Sequence, residues 1–207
     1  MNIQCFPLGD YGANCYLLTD EFTKTAAVID PGVPSDELND ALLGFELKYI
    51  LLTHGHFDHI FGCKSLKEIY PNAEICIHSD DEICLNDNKM NLAGDYDITP
   101  DVSADNVLKN GDVIKFADTS IVVLSTPGHS PGSVCYVDEK NKLIFSGDTL
   151  FCLTVGRTDF EGGNFDDMMV SIKTLSKFDD DYAVYPGHNR STTIGFERKR
   201  NRYMRKL

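Results

Sequence analysis

Five of the six histidines stand after apolar runs that read as strands. His54, His56 and His59 lie in THGHFDH, His129 ends STPGH, and His188 ends YPGH. Asp58 sits inside the first cluster, and Asp148 follows the run LIFSG. Imidazole and carboxylate donors suit divalent zinc, iron or manganese. In an H-x-H stretch an extended or turning backbone can place both imidazoles on one ion. Asp58 and His59 follow too closely to share that ion easily, so they point to a second one. A bridging Asp148 would hold the two ions ~3.5–4 Å apart, the usual two-metal spacing. A lone H-x-H is a weak signal, but H-x-H-x-D-H after a buried strand, joined by two further strand-end histidines, is far more specific. A closed structural zinc would favour cysteine donors, and no cysteine falls in the cluster.

Those donors need strand ends to carry them. Short strands are expected over 2–9 and 15–19, then 25–30 (TAAVID), broken by Pro31-Gly32. A helix is expected over 35–45, with Ser35 as N-cap and Leu38, Leu42 and Leu43 on one face. A buried strand follows at 48–53 (KYILLT), then a helix over 59–70 closed by Pro71, then a strand at 73–78. Residues 86–112 are polar and rich in Gly, Pro, Asn and Asp; they read as a solvated excursion or a loop over a site, with Met90 and Tyr96 as candidates to touch substrate. Strands at 113–117, 120–126, 133–138 and 142–147, a helix over 166–178, a strand at 183–187 and a final helix over 194–206 complete the pattern. An internal echo runs through it. A strand meets Asp in both AVIDPG and IFSGDT, and a strand meets His in both LLTHGH and LSTPGH. Two αβ halves packed sheet to sheet would give that pattern, better than a doubly wound parallel sheet.

The 207 residues suit a single domain over 1–207 with a real core. Net charge is −13, which disfavours a nucleic-acid binder. The exception is 197–207, where six Lys/Arg accompany one Glu; it reads as a solvated basic helix end. No apolar run is long enough for a membrane helix, and the N-terminus lacks a signal-peptide pattern. Seven cysteines without paired C-x-x-C spacing read as free thiols in a reducing cytoplasm. Cys152 is the one nearest a proposed ligand in sequence, and it reads as a packed thiol.

THGHFDH resembles the signature of the metallo-β-lactamase superfamily, and STPGH, SGD and YPGH follow in the family's order. The match runs from VIDPG (28–32) to PGHNRSTTIGFE (186–197), and it looks closest to short hydrolases similar to glyoxalase II. The resemblance implies an α/β fold, the four-layer αββα sandwich. It implies one metal site of His54, His56 and His129, a second of Asp58, His59 and His188, and Asp148 bridging. Asp30 would stand behind the ligands, since metal-bound histidines usually donate their other N–H to a carboxylate or carbonyl.

The expected cofactor is two divalent ions, zinc before iron or manganese. The expected reaction is hydrolysis of a small-molecule thioester such as S-2-hydroxyacylglutathione by a metal-bound hydroxide, with Asp58 orienting it or taking its proton. The alternative within the superfamily is a mononuclear-iron sulfur (persulfide) dioxygenase. Full-length glyoxalase II carries a C-terminal helical domain that supplies much of its glutathione contact. This sequence does not contain it, so the thiol carrier stays open. Arg157 in VGRTDF, where family members often carry G-R-x-D, joins Asp30 as a candidate to stand behind the ligands; the competing reading, slightly favoured, is an ion pair with Asp159 that braces the loop. His78 reads as structural or surface, and Ser191 and Thr192 as caps of the last helix.

Overall fold

The computed structural model describes residues 1–94, 100–205 and 207. Tyr96 lies outside the described residues. The chain divides into two compact units, Met1–Leu108 and Lys109–Leu207. Each is built on one six-stranded mixed sheet.

The first unit runs β1 (Asn2–Leu8), β2 (Ala13–Asp20), β3 (Thr25–Ile29), α1 (Asp36–Ala41), β4 (Glu46–Leu51), α2 (Phe57–Ile60), α3 (Cys63–Ile69), β5 (Glu74–His78), a 3-10 turn (Glu82–Leu85) and β6 (Asn106–Leu108). The sheet order is β1-β2-β3-β4-β5-β6. The first three strands pair antiparallel, and β3 to β6 pair parallel. Parallel strands need crossovers: α1 lies in the one from β3 to β4 and α3 in the one from β4 to β5. Leu17, Val28, Ile50, Leu52, Ile60 and Ile75 form the heart of this unit's core at 0% exposure. Burying each such side chain is worth ~1.5–3 kcal/mol before entropy is counted.

The second unit runs β7 (Val113–Phe116), β8 (Thr119–Ser125), β9 (Val134–Asp138), β10 (Leu143–Gly147), β11 (Leu150–Phe151), β12 (Thr154–Val155), α4 (Phe165–Leu175), β13 (Ala183–Pro186), β14 (Thr192–Thr193) and α5 (Ile194–Arg200). The sheet order is β14-β13-β10-β9-β8-β7, with β11 and β12 as a separate ribbon. Only β10 and β13 pair parallel, across the α4 crossover. Met168, Ile172 and Leu175 of α4 pack into this unit's core with Val137, Ile144 and Val184.

Several elements differ from the sequence expectation. The helix of 59–70 is two short helices, because Gly62 donates its N–H to the Pro31 carbonyl (2.7 Å) instead of continuing the helical ladder. A Cβ on Gly62 would lie 2.6 Å from that oxygen, so only glycine permits the approach. Ser35 does cap α1, accepting the Leu38 N–H. That helix ends at Ala41, however, so Leu43 is exposed while Leu38 and Leu42 are buried. The 86–112 segment contains β6, which joins the sheet beside β5. The last helix is capped by Thr193, whose side chain accepts the Phe196 N–H, rather than by Ser191 or Thr192. It stops at Arg200, where buried Asn201 turns extended and donates to Thr154 O and Glu197 Oε2. The basic run is only partly solvated, since Arg198 donates to the Ser176 and Phe178 carbonyls.

The echo takes a clearer form in the topology. β3-α1-β4 and β10-α4-β13 are both parallel crossovers. Asp30 follows β3 and His54 follows β4; Asp148 follows β10 and His188 follows β13. The counterpart of LLTHGH is therefore YPGH, not LSTPGH.

Candidate functional site

In the first unit the β3–β4 register pairs Ile29 with Leu51. Asp30 then falls level with the residues that lead into the histidine loop. Its N–H donates to Leu51 O (3.0 Å). Its backbone is left-handed (φ 53°), a conformation that Asp tolerates better than most residues. Its carboxylate is 1% exposed and accepts three bonds. Oδ1 takes the Thr53 N–H at 2.8 Å, and Oδ2 takes the Thr53 hydroxyl at 2.6 Å. Oδ2 also meets His59 Nδ1 at 3.0 Å.

These bonds assign two tautomers. A carboxylate only accepts, so His59 carries its proton on Nδ1 and keeps a lone pair on Nε2. The Thr53 hydroxyl spends its single proton on Asp30. Its oxygen, 3.1 Å from His54 Nδ1, must therefore accept from that nitrogen, which again leaves Nε2 of His54 as the donor to an ion. Nε2 of His54 is a buried atom that makes no hydrogen bond. The His54 ring lies 4.7 Å from that of His56 and 4.2 Å from that of His59, centroid to centroid. Donor atoms of Asp30, His54 and His59 fall within 4.8 Å of one another.

His56 is the N-cap residue of α2, and Asp58 and His59 lie in its first turn. The sequence expectation placed Asp58 in a loop; the short helix instead turns Asp58 and His59 back beside each other, with Asp58 Oδ2 3.7 Å from His59 Nε2.

In the second unit the β10–β13 register pairs Gly147 with Pro186. Asp148 and His188 therefore leave the sheet side by side. Asp148 Oδ2 stands 3.4 Å from His129 Nε2 and 3.7 Å from His188 Nε2. His129 fixes its ring through Nδ1, 2.8 Å from the Arg157 carbonyl, so its Nε2 is likewise the donor. Asp148 thus lies beside two imidazole donors of its own unit. Among the described residues, its Oδ1 is the other buried side-chain nitrogen or oxygen that makes no hydrogen bond.

The guanidinium of Arg157 makes a two-pronged ion pair with Asp159 (2.7 and 2.8 Å) and sits 4.0 Å from the Phe160 ring. That pairing holds the Asp159 carboxyl down at about 2. Both expectations for Arg157 are met by different parts of it: its guanidinium pairs with Asp159, and its carbonyl stands behind His129.

Burial, reinforced by the Asp30 charge, pushes the Cys63 thiol up, and burial with the Asp81 charge pushes Cys84 up to about 12. Cys152 accepts from Arg190 Nε at 3.2 Å. His78 is buried at the end of β5, where its Nδ1 accepts the Asp80 N–H, a structural role. The sequence expectation missed Thr53, which sits next to His54 and whose hydroxyl links Asp30 to that ring. The donor chemistry in each unit, neutral imidazole Nε2 atoms with carboxylate oxygens, fits divalent zinc, iron or manganese.

The sequence model of the metallo-β-lactamase superfamily matches residues 8–188, running through both units. Hydroxyacylglutathione hydrolase GloC of Haemophilus influenzae is 33% identical over 99% of this chain and 98% of its own. Among solved structures, the BLEG-1 B3 metallo-β-lactamase superposes with a TM-score of 0.92, 32% identical over 98% of this chain and 99% of its own. ETHE1 from Myxococcus xanthus superposes with a TM-score of 0.80, 27% identical over 98% of this chain and 84% of its own.

Proposed function

The chain belongs to the metallo-β-lactamase superfamily and has its fold, and on that premise we propose that it is a dinuclear metallohydrolase cleaving small-molecule thioesters such as S-2-hydroxyacylglutathione. In this reading His54, His56 and His129 hold one divalent cation, Asp58, His59 and His188 hold the other, and Asp148 bridges. When bound, such cations supply Lewis acidity and bring the pKa of a water toward neutrality. Zinc is the expected metal, with iron or manganese compatible with the same donors.

The chain's own residues do the rest. Asp30, acting directly on His59 and through Thr53 on His54, presents both Nε2 atoms as lone pairs. This network is the observation that carries the metal reading, because it fixes two imidazoles in the tautomer a cation needs. The Arg157 carbonyl does the same for His129. Asp58 orients the attacking water or takes its proton. The likeness to GloC supports a thioester over other acyl substrates, and the net charge of −13 supports a small molecule over a nucleic acid.

Seven free cysteines suit a reducing compartment such as the cytoplasm. Among the described residues no helix is long and apolar enough to cross a membrane.

Elemental analysis of the purified protein, paired with hydrolysis of S-lactoylglutathione, tests the reading. Close to two metals per chain with thioester turnover is the expected result; turnover of the chromogenic β-lactam nitrocefin in its absence would overturn the thioester assignment, the outcome that the BLEG-1 likeness would favour. The likeness to ETHE1 favours the second reading, a mononuclear-iron sulfur dioxygenase. Close to one iron per chain, no thioester turnover and oxygen uptake with glutathione persulfide would establish that one instead.

A further inference from the structure

The described residues between β5 and β6 are not a solvated excursion where they approach the histidine loop. Gly55, between His54 and His56, donates its N–H to Asp81 Oδ2 at 2.9 Å. Phe57, between His56 and Asp58, donates its N–H to the Asn91 carbonyl at 2.9 Å. The two residues that separate three candidate donors are thus both gripped from one segment.

Each grip is itself held. Asp81 is 1% exposed; its N–H donates to His78 O and its carbonyl accepts the Cys84 N–H, both at 3.0 Å. Asn91 is 0% exposed. Its side chain donates to Cys84 O at 2.9 Å and accepts the Ala93 N–H at 2.9 Å, across a left-handed Leu92 (φ 66°). Non-glycine residues hold that backbone only where their surroundings fix it. The contact is also tight, since a Cβ on Gly55 would lie 2.6 Å from Cys84 Sγ and 3.1 Å from Asp81 O.

We propose that Asp81 and Asn91 are positioning residues that shape the His54–Asp58 loop for a divalent cation before it binds. The proposal rests on the reading of His54, His56 and Asp58 as ligands. A hydrogen bond to an ionised carboxylate is stronger than a neutral one, so Asp81 fixes the Gly55 peptide, and with it the separation of the two imidazoles. Its charge also lies behind a loop that is to hold a cation. Asn91 fixes the Phe57 peptide, and with it the start of α2 and the aim of Asp58.

The test is the affinity of the metal-free protein for Zn²⁺, read by competition with a chromophoric chelator. Asp81→Asn and Asn91→Ser are compared with wild type, with His56→Ala and with Asp105→Asn. Asp105 is a carboxylate of the same unit that accepts the Ile75 N–H (2.9 Å) and a Lys67 bond (2.7 Å) away from the histidine loop. Asp81→Asn and Asn91→Ser should each bind Zn²⁺ ~10-fold or more weakly. Asp105→Asn should melt lower and bind unchanged.

Wild-type affinity in Asp81→Asn and Asn91→Ser, or an equal loss in Asp105→Asn, overturns the proposal. Wild-type affinity in His56→Ala overturns the ligand reading instead. Should neither positioning variant fold, amide exchange in metal-free wild type decides: slow exchange at Gly55 and Phe57 is expected, and fast exchange overturns the clamp.

Discussion

Replacing Asp30 with Asn probes the network behind the histidines at almost constant shape. Asn tolerates the left-handed backbone that Asp30 adopts. The change removes one charge and turns one acceptor into a donor. Two orientations are open to the new amide. If its oxygen takes the place of Oδ2, its NH₂ faces the Thr53 N–H that Oδ1 accepted at 2.8 Å; two buried donors then oppose each other, at ~1–3 kcal/mol.

If the amide turns, its NH₂ faces the Thr53 hydroxyl and His59 Nδ1, which stood at 2.6 and 3.0 Å. Both must now accept. His59 moves its proton to Nε2, and the Thr53 hydroxyl turns its own toward His54 Nδ1, 3.1 Å away. The His54 proton then also moves to Nε2. In this orientation the donor atoms of two imidazoles are blocked.

Losing a partner behind one ligating histidine costs ~10–100-fold in metal affinity. Asp30 governs two, so the upper end applies, ~100-fold or ~2.7 kcal/mol. Zinc affinity is read by chelator competition on metal-free protein, with the melting temperature measured alongside. A variant that melts lower but binds zinc as wild type does would refute the tautomer assignment and leave Asp30 a purely structural residue.

Asp148→Ala should abolish thioester hydrolysis and lower metal content toward one ion or none; unchanged turnover would refute the bridging role. Burial pushes the thiols of Cys76, Cys84 and Cys135 up to about 12 from 9.0. Below pH 9.0 these thiols are protonated in both the folded and unfolded chain; above it only the unfolded chain releases the proton, so stability falls as pH rises toward about 12. The slope is ~1.4 kcal/mol per pH unit for each thiol, so melting temperatures should decline above about pH 9, less so in Cys135→Ala, and a flat profile would refute the shift. Gly128→Ala should give little folded protein. The new Cβ would sit 2.6 Å from the backbone N of Met168 at a φ of +140°, adding overpacking of ~1–3 kcal/mol and backbone strain of ~1–3 kcal/mol. A wild-type melting temperature would contradict that geometry.

Much of the first unit was legible because its signals are local. Alternation and apolar runs mark β3, β4 and β5, and Ser35 marks the start of α1. The candidate donors stand out in the sequence because they cluster just after apolar strand runs, and strand ends of such sheets are where ligands gather. What escaped has a common cause. The break at Gly62 depends on Pro31, a partner distant in sequence. The short strands β6, β11, β12 and β14 are defined by their neighbours, not by their own residues. The Asn91 carbonyl acts through the main chain, so no side-chain identity could announce it, and Arg157, though a candidate from the sequence, acts on His129 through its carbonyl rather than its guanidinium. The composition of 86–112 left a solvated excursion and a loop over a site both open; Asn91 is buried because its amide replaces water for two backbone groups.

The β3–β4 and β10–β13 crossovers also bear on how the sheets are assembled. Antiparallel neighbours such as β1-β2-β3 and β7-β8-β9-β10 join through short connections, whereas β3–β4 and β10–β13 must close long loops first. His54, His56, Asp58 and His59 follow β4, and His188 follows β13. Five of the seven candidate donors therefore ride on strands whose pairing must close a long loop, while His129 and Asp148 belong to the meander. On the proposed reading, a chain holding only its hairpins presents two of the seven ligands, so a cation would bind only once the parallel pairings have formed.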